Sequence, residues 1–318
     1  AAVTAGNVTG VVSIVNGGTG SSTQNFVALT SDQDIAGNKT FSNTLSGDVV
    51  NAAAHYTIGG LRVLSIAGSN NIFAGVGAGT SNTGSSNSFF GRAAGQANTT
   101  GSFNSFYGVS SGVSNTTGIF NSFYGVDSGL LNTTGDRNAF FGAVAGRSNT
   151  IGTRNSFFGT DSGFSNTNGS DNSFFGMEAG KNNLVGVLNT FVGSAAGLGN
   201  THGNNNTLIG SGTNMGFNAL NFASAIGADA TVSASNTVVL GRNVDTVQVP
   251  GILNSATQYN IGGNHILSAP SANLFAGVGA GAANTTGDSN SFFGMNSGPS
   301  NTTGNTNSFF GYQSGNSN

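Results

Sequence analysis

Several residue types are absent or scarce in this sequence. It has no cysteine, so disulfide, zinc-thiolate and thiol chemistry are excluded. Only 6% of its 318 residues are charged, about a quarter of the usual share. The net charge of −3 predicts no basic surface for nucleic acid or anionic lipid. No apolar run reaches the roughly 18 residues that a membrane-spanning helix needs, so none is predicted.

Glycine and phenylalanine are abundant. The glycine content argues against helices, and the phenylalanine content argues against disorder. The 53 Gly recur every few residues, and each costs about 1 kcal/mol in a helix interior. The 24 Phe are periodic, whereas disordered chains are poor in aromatic residues. We therefore predict an all-β chain of short strands separated by Gly and Asn turns.

Residues 87–210 repeat with a period of 17. Asn-Ser-Phe-Phe-Gly or a close variant begins at Asn87 and every 17 residues thereafter to Asn206, and a 16-residue copy begins at Asn71. We number each repeat from this Asn as positions 1 to 17, so that a second signal, Asn-Thr-Thr-Gly, starts at position 12. Such a period is typical of a solenoid or fibre, in which each repeat buries its apolar face against its neighbours.

Positions 3 and 4 carry adjacent aromatic residues in most repeats. Successive strand residues point to opposite faces, so one ring fills its own coil and the other faces outward. An outward column of Phe and Tyr needs a partner in water, and we expect identical chains to cover it around a symmetry axis. The predicted aromatic core and interface consists of Phe89, Phe90, Phe106, Tyr107, Phe123, Tyr124, Phe140, Phe141, Phe157, Phe158, Phe174 and Phe175.

The Asn of positions 1 and 12 are predicted to lie at turns, because Asn tolerates left-handed backbone. Stacked in register, they would form amide ladders. Gly at positions 5, 9 and 15 is expected to supply positive φ where each coil bends. One coil is predicted to contain two short strands and two turns. The predicted position-1 ladder consists of Asn87, Asn104, Asn121, Asn138, Asn155, Asn172, Asn189 and Asn206.

Two segments resemble known families. Within residues 16–43, Gly-Gly-Thr-Gly is followed by Leu-Thr-x-x-Gln-x-Ile-x-Gly-x-Lys-Thr-Phe, which resembles segments of phage-tail-fibre-like and bacterial fibre proteins. The run Ala-Ile-Gly-x-x-Ala-x-x-Ser-x-Ser-Asn-Thr-Val-x-Leu-Gly, from Ala225 to Gly241, resembles the head repeat of trimeric autotransporter adhesins. That YadA-like resemblance implies a left-handed parallel β-roll, an intertwined homotrimer and an extracellular adhesin. The 17-residue coils are longer than the usual 14 of that family.

The domain organisation follows from the repeats. Tyr259-Asn-Ile-Gly-Gly matches Tyr56-Thr-Ile-Gly-Gly, so a unit of connector plus array begins a second time. Because the chain begins without Met and ends within a repeat, we expect a piece of a longer protein. The predicted segments are a β shaft (1–46), a connector (47–70), the 17-residue β-roll array (71–217), a 14-residue YadA-like coil and exit (218–250), a second connector (251–272) and a second array (273–318).

No catalytic, cofactor or metal site is predicted. The three His lie in different segments, and His202 replaces a Thr of the turn motif. The acidic residues of position 7, Asp127, Asp161 and Glu178, are expected to be solvated. Gly-Val-Gly-Ala-Gly at 75–79 lacks the Lys of a phosphate loop and the strand–helix context of a dinucleotide site.

The sequence therefore predicts a non-enzymatic, structural or adhesive homotrimeric fibre, extracellular on a cell surface or virion. Its receptor, glycan or protein, is unknown, and end-to-end assembly into filaments is left open. One alternative is a phage or tailocin-like tail fibre for host recognition. Another is an ice-binding β-solenoid that uses stacked turn Thr. A polysaccharide-cleaving tail spike needs paired carboxylates in a groove, which eleven scattered acids do not suggest.

Overall fold

A computed structural model describes residues 55–251, 258–261, 263–270 and 272–316. The predicted shaft (1–46), the fibre-like segment within 16–43 and the first residues of the predicted connector lie outside the described residues. The described part of the chain contains strands and turns but no helix, and hence no helix that could cross a membrane. The all-β prediction is therefore confirmed.

The strands of the first array are short, most of them three residues long. They are β1 (His55–Ile58), β2 (Leu61–Ser65), β3 (Ile72–Ala74), β4 (Ser88–Phe90), β5 (Ser105–Tyr107), β6 (Ser122–Tyr124), β7 (Ala139–Phe141), β8 (Ser156–Phe158), β9 (Ser173–Phe175), β10 (Thr190–Val192), β11 (Thr207–Ile209), β12 (Asn214–Met215), β13 (Ser224–Ile226), β14 (Thr231–Val232) and β15 (Val238–Leu240).

These strands form a parallel β-solenoid with a hairpin at one end. The hairpin β1–β2 pairs antiparallel with β3, and from β3 onward every neighbour in the 13-stranded sheet is parallel, in the order β3 to β11, then β13 and β15. The register pairs identical repeat positions, such as Phe89 with Phe106. Each side chain therefore stacks on its equivalent in the next coil. Strands β12 and β14 form a separate two-stranded sheet.

A second array has the same topology. It contains β16 (Gln258–Ile261), β17 (Asn264–Ser268), β18 (Leu274–Ala276), β19 (Ser291–Phe293) and β20 (Ser308–Phe310). The hairpin β16–β17 again pairs antiparallel with the first parallel strand. Even the register shift in the hairpin recurs, after Tyr56 in one copy and after Tyr259 in the other.

The coil that begins at Asn206 contains two strands, β11 and β12. Each coil between Asn71 and Asn205 contains one strand, so the prediction of two strands per coil is wrong there. Only positions 2 to 4 are extended, and positions 5 and 9 are Gly with positive φ, for example 137° at Gly91 and 55° at Gly95. The turn segments still bond to their neighbours: Gly95 N donates to Ser111 O over 3.0 Å, and Thr99 N to Thr116 O over 2.9 Å. Bent backbone thus supplies the coil-to-coil bonds that a second strand would supply.

The core is a stack of position-3 rings. Phe89, Phe106 and their equivalents are fully buried, with ring centroids 4.8 Å apart. The small residue of position 8, such as Ala94 or Ser111, is buried beside them. Gly95 at position 9 has no room for a side chain, because a Cβ there would overlap the ring of Phe89. Each coil therefore places one aromatic ring in the core, with small residues packed beside it.

Candidate functional site

The outward face of the sheet carries a continuous apolar column. In each strand the central residue is buried, and the residues before and after it face outward. The strand register brings the following residues into one line, here called the outer column: Tyr56, Leu64, Ala74, Phe90, Tyr107, Tyr124, Phe141, Phe158, Phe175, Val192, Ile209, Ile226 and Leu240. It crosses all strands of the 13-stranded sheet without a charged residue.

Six aromatic rings form the middle of the outer column. From Phe90 to Phe175 they stack face to face, with centroids 4.7–4.9 Å apart and interplanar angles of 4–8°. They are partly exposed: Tyr124 retains 36% and Phe175 41% of its accessible surface. The single chain therefore leaves a ladder of ring edges in contact with water.

Small side chains flank the outer column. Position 2, the other outward position of each strand, is Ser88 in the first full repeat, Ala139 in the fourth and Thr190 in the seventh. They project less than the rings, so the column stands out from the sheet as a ridge. The same column recurs in the second array as Tyr259, Leu267, Ala276, Phe293 and Phe310.

The predicted position-1 Asn form a buried ladder within each chain. Asn104 N donates to Asn87 Oδ1 over 2.9 Å, and the same contact repeats along the array. Asn104 Nδ2 donates to Gly118 O, 14 residues ahead, over 2.8 Å. The side chains are fully buried. This ladder therefore fixes the strand to the turn at position 15 and leaves no amide for a ligand.

A second buried ladder runs along position 12. Asn115 Nδ2 donates to Asn98 Oδ1 over 2.6 Å and to Gly118 O over 3.1 Å. The carbonyl of Gly118 thus accepts from both ladders. The predicted positive φ at position 15 is wrong, since Gly118 is not left-handed; a Cβ there would overlap the side chain of Asn115. The ladder Asn are not left-handed either, and positive φ falls at positions 7 and 17 instead.

Some of the charged residues form ion pairs at the surface. Lys181 Nζ lies 2.6 Å from Glu178 Oε1 and 3.1 Å from Asp161 Oδ2, and these hydrogen bonds raise the pKa of Lys181, that to Glu178 more. Arg154 binds Asp171 through two hydrogen bonds of 2.6 and 2.9 Å. Within the described ranges, no three His, Cys, Asp or Glu side chains lie close enough to hold a metal ion.

The turn Thr do not offer a free hydroxyl array. Thr99, Thr116 and Thr133 at position 13 each donate their hydroxyl to the carbonyl of the equivalent residue in the next coil, over 2.9–3.1 Å. Position 14 changes from Thr to Ile151 and Val185 further along the array. Neither column presents the regular, available hydroxyls that the ice-binding alternative requires.

The structure brings the predicted residues together in three lines. The position-3 rings lie in the core, the position-4 rings in the outer column, and the position-1 Asn in a buried ladder. Sequence reasoning missed the corner at position 17, where Phe103 and Phe120 are exposed on left-handed backbone. The one available sign in the sequence was that an aromatic residue at position 17 is not part of the repeat pattern.

No protein-family model matches the chain, and no curated protein matches it. The similarities to trimeric autotransporter heads and to tail-fibre segments therefore rest on the short motifs described above.

Proposed function

We propose that this chain is a structural and adhesive subunit of an extracellular homotrimeric fibre. In this proposal three left-handed β-rolls lie side by side, with their outer columns facing a common axis. The outer column is the observation that supports it, because a solenoid that acted alone would leave thirteen apolar positions in one unbroken line.

The outer column offers a large apolar area for burial between chains. With about two-fifths of its surface exposed, a ring such as Phe175 has roughly 60–100 Å² left to bury, worth about 1.5–2.5 kcal/mol. Over the whole column the area is on the order of 700 Å² per chain, and in a trimer it is divided between two neighbours. A standard interface buries roughly 800 Å² per partner, so residues beside the column must add to the contact.

The period of the outer column favours another copy of this chain as the partner. A ridge that repeats every coil, at about 4.8 Å, is matched best by a surface with the same repeat. Identical chains in register provide it over the full length of the sheet. The number three, the left-handed twist and the extracellular location come from the resemblance of residues 225–241 to trimeric adhesin heads.

The polar part of the molecule supports a structural role. Both Asn ladders and the position-13 hydroxyls are used within the chain, so they add rigidity to a rod. A tail fibre of a phage-like particle would use the same assembly, and the segment within residues 16–43 supports that variant. The fibre would then carry its receptor-binding surface on exposed corners or on a further domain.

The native mass of the purified chain tests this proposal. Light scattering should give three times the 31.5 kDa of one chain. A monomer at all concentrations would refute the fibre and leave the outer column as a ligand surface. A broad distribution of very large masses would instead show that trimers join end to end.

A further inference from the structure

The corner at position 17 carries bulky side chains on left-handed backbone. Phe103, Phe120 and Phe222 have φ values of 60°, 58° and 54°. This conformation costs an L-residue about 1–2 kcal/mol, and Asn or Asp, as at Asn70 and Asp171, tolerates it better. The Phe side chains are about half exposed, so burial within the chain does not offset the cost. The same backbone recurs at this corner in every coil of the first array, so the stacked coils impose it and hold each Phe side chain outward.

Two of these rings form a short stack with one open end. The rings of Phe103 and Phe120 lie 4.9 Å apart at 8° to each other. Arg137 covers the far face of Phe120, with its Cζ 5.6 Å from the ring centroid. On the other side, the equivalent corner residue of the preceding, 16-residue coil is Ser86, and no described aromatic or cationic side chain stacks there. The outer face of Phe103 is therefore open.

Uncharged polar side chains occupy the same corner on the coils that precede Phe103. Main-chain bonds hold the corner in place, since Phe103 N donates to Ser85 O and Ser86 N to Ser69 O, each over 3.0 Å. Among the described residues, none is hydrogen-bonded to the Ser85 hydroxyl, the Ser86 hydroxyl or the Asn70 amide. Asn70 lies at the same corner two coils from Phe103, a separation of about 10 Å at 4.8 Å per coil. We call this space the Ser86 notch.

We propose that the Ser86 notch binds a terminal pyranose residue of a glycan. The C–H face of the sugar packs on the open face of Phe103, and its hydroxyls exchange hydrogen bonds with Ser85, Ser86 and Asn70. Above the small side chain of Ser86, the two coil spacings between Phe103 and Asn70 leave about 10 Å, which accommodates one sugar ring. The inference rests on the proposed adhesive role, because it names the ligand class of that fibre.

The size and charge of the notch favour a sugar over a protein partner. Phe103 and Phe120 together expose on the order of 200 Å², far below the roughly 800 Å² per partner of a protein interface. No ionised side chain belongs to the notch, since Arg137 lies on the far side of the stack. Uncharged hydroxyls and one aromatic face match a neutral pyranose.

Saturation-transfer NMR on the intact chain tests the inference. The probes are the methyl glycosides of β-galactose, β-glucose and α-mannose, measured against wild type and three variants. Phe103→Ala removes the ring face, and Ser86→Phe fills the notch by extending the stack. Leu188→Ala is the control, because Leu188 occupies the same corner of another coil with matching backbone (φ 58°) and exposure (53% against 54% for Phe103).

We expect transfer to at least one glycoside, lost in Phe103→Ala and Ser86→Phe and retained in Leu188→Ala. Absence of transfer to all three glycosides overturns the inference, as does equal transfer to wild type and Phe103→Ala. Equal loss in Leu188→Ala also overturns it, since binding would not be specific to the notch. The native mass of each sample is measured alongside, so that a sugar-binding monomer refutes the trimer without refuting the notch.

Discussion

The two Asn ladders differ in what they hydrogen-bond, which gives a sharp test of the interior. Asn138 at position 1 accepts from the main-chain amide of Asn155 over 3.0 Å and donates to Gly152 O over 2.8 Å. The side chain of Asn149 at position 12 donates to the same Gly152 O over 3.0 Å, and its other hydrogen bonds are to the side chains of Asn132 and Asn166. Both side chains are buried, so the same truncation is made in equal surroundings.

Asn138→Ala should be the more damaging substitution. It leaves the Asn155 main-chain amide buried without an acceptor, while Gly152 O keeps its bond from Asn149 Nδ2. A buried N–H without an acceptor costs about 1–3 kcal/mol, and we expect a loss of about 2–3 kcal/mol. Asn149→Ala leaves only the side-chain oxygen of Asn132 without its donor, because Gly152 O keeps Asn138 and Asn166 Nδ2 keeps Gly169 O. A buried carbonyl oxygen without its donor is tolerated better than a buried N–H without its acceptor, so we expect the smaller loss, about 1 kcal/mol.

Urea unfolding followed by circular dichroism measures the difference, at one fixed protein concentration because oligomers gain stability with concentration. Hydrogen exchange of the Asn155 amide gives a local readout. It should become fast in Asn138→Ala and stay slow in Asn149→Ala. Equal destabilisation by both variants, together with a protected Asn155 amide in Asn138→Ala, would refute the ladder assignment.

Two further predictions concern the outer column. Phe158→Asp should lower the native mass and the melting temperature, because it places a charge on the ridge. Thr153→Ala in the turn should change neither. Equal native masses and equal melting temperatures of the two variants would refute the packing of chains through the outer column. The pKa of Tyr124 is raised above its ordinary 10.0, first by burial and second by the neighbouring Tyr107. The contribution of the protonated Tyr124 hydroxyl to the free energy of unfolding is therefore present below about pH 10 and is lost as the pH rises further. Alkaline unfolding should be weaker in Tyr124→Phe, with tyrosinate absorbance reporting the titration; identical alkaline unfolding of both proteins would contradict it.

The sequence was sufficient to predict the all-β class, the 17-residue coil and the sorting of the two aromatic positions. The reason is geometric, since alternation along a strand forces Phe89 and Phe90 to opposite faces and the period forces like residues to stack. The same logic anticipated an Asn ladder at Asn87 and Asn104, although not its bond to the turn carbonyl of Gly118.

Other features depend on tertiary contacts and could not be predicted from the pattern. Gly118 at position 15 suggested a left-handed turn, but it is Gly because Asn115 and the next coil lie against it. The left-handed corners hold Phe103, Arg137 and Leu188, which have no preference for that backbone. The stacked coils on either side impose the left-handed backbone, so the conformational preferences of these residues do not predict it.

Thiol labelling compares two positions that are equally exposed in the single chain, and it tests the central claim most directly. Val192 in the outer column and Leu184 in a turn both have 38% of their surface accessible, and the chain has no native cysteine. Val192→Cys and Leu184→Cys are each treated with a bulky maleimide under native conditions. If copies of the chain cover the outer column, Val192→Cys reacts at least about tenfold more slowly, corresponding to roughly 1.4 kcal/mol of protection. Equal labelling rates would contradict the account and show that the column faces water.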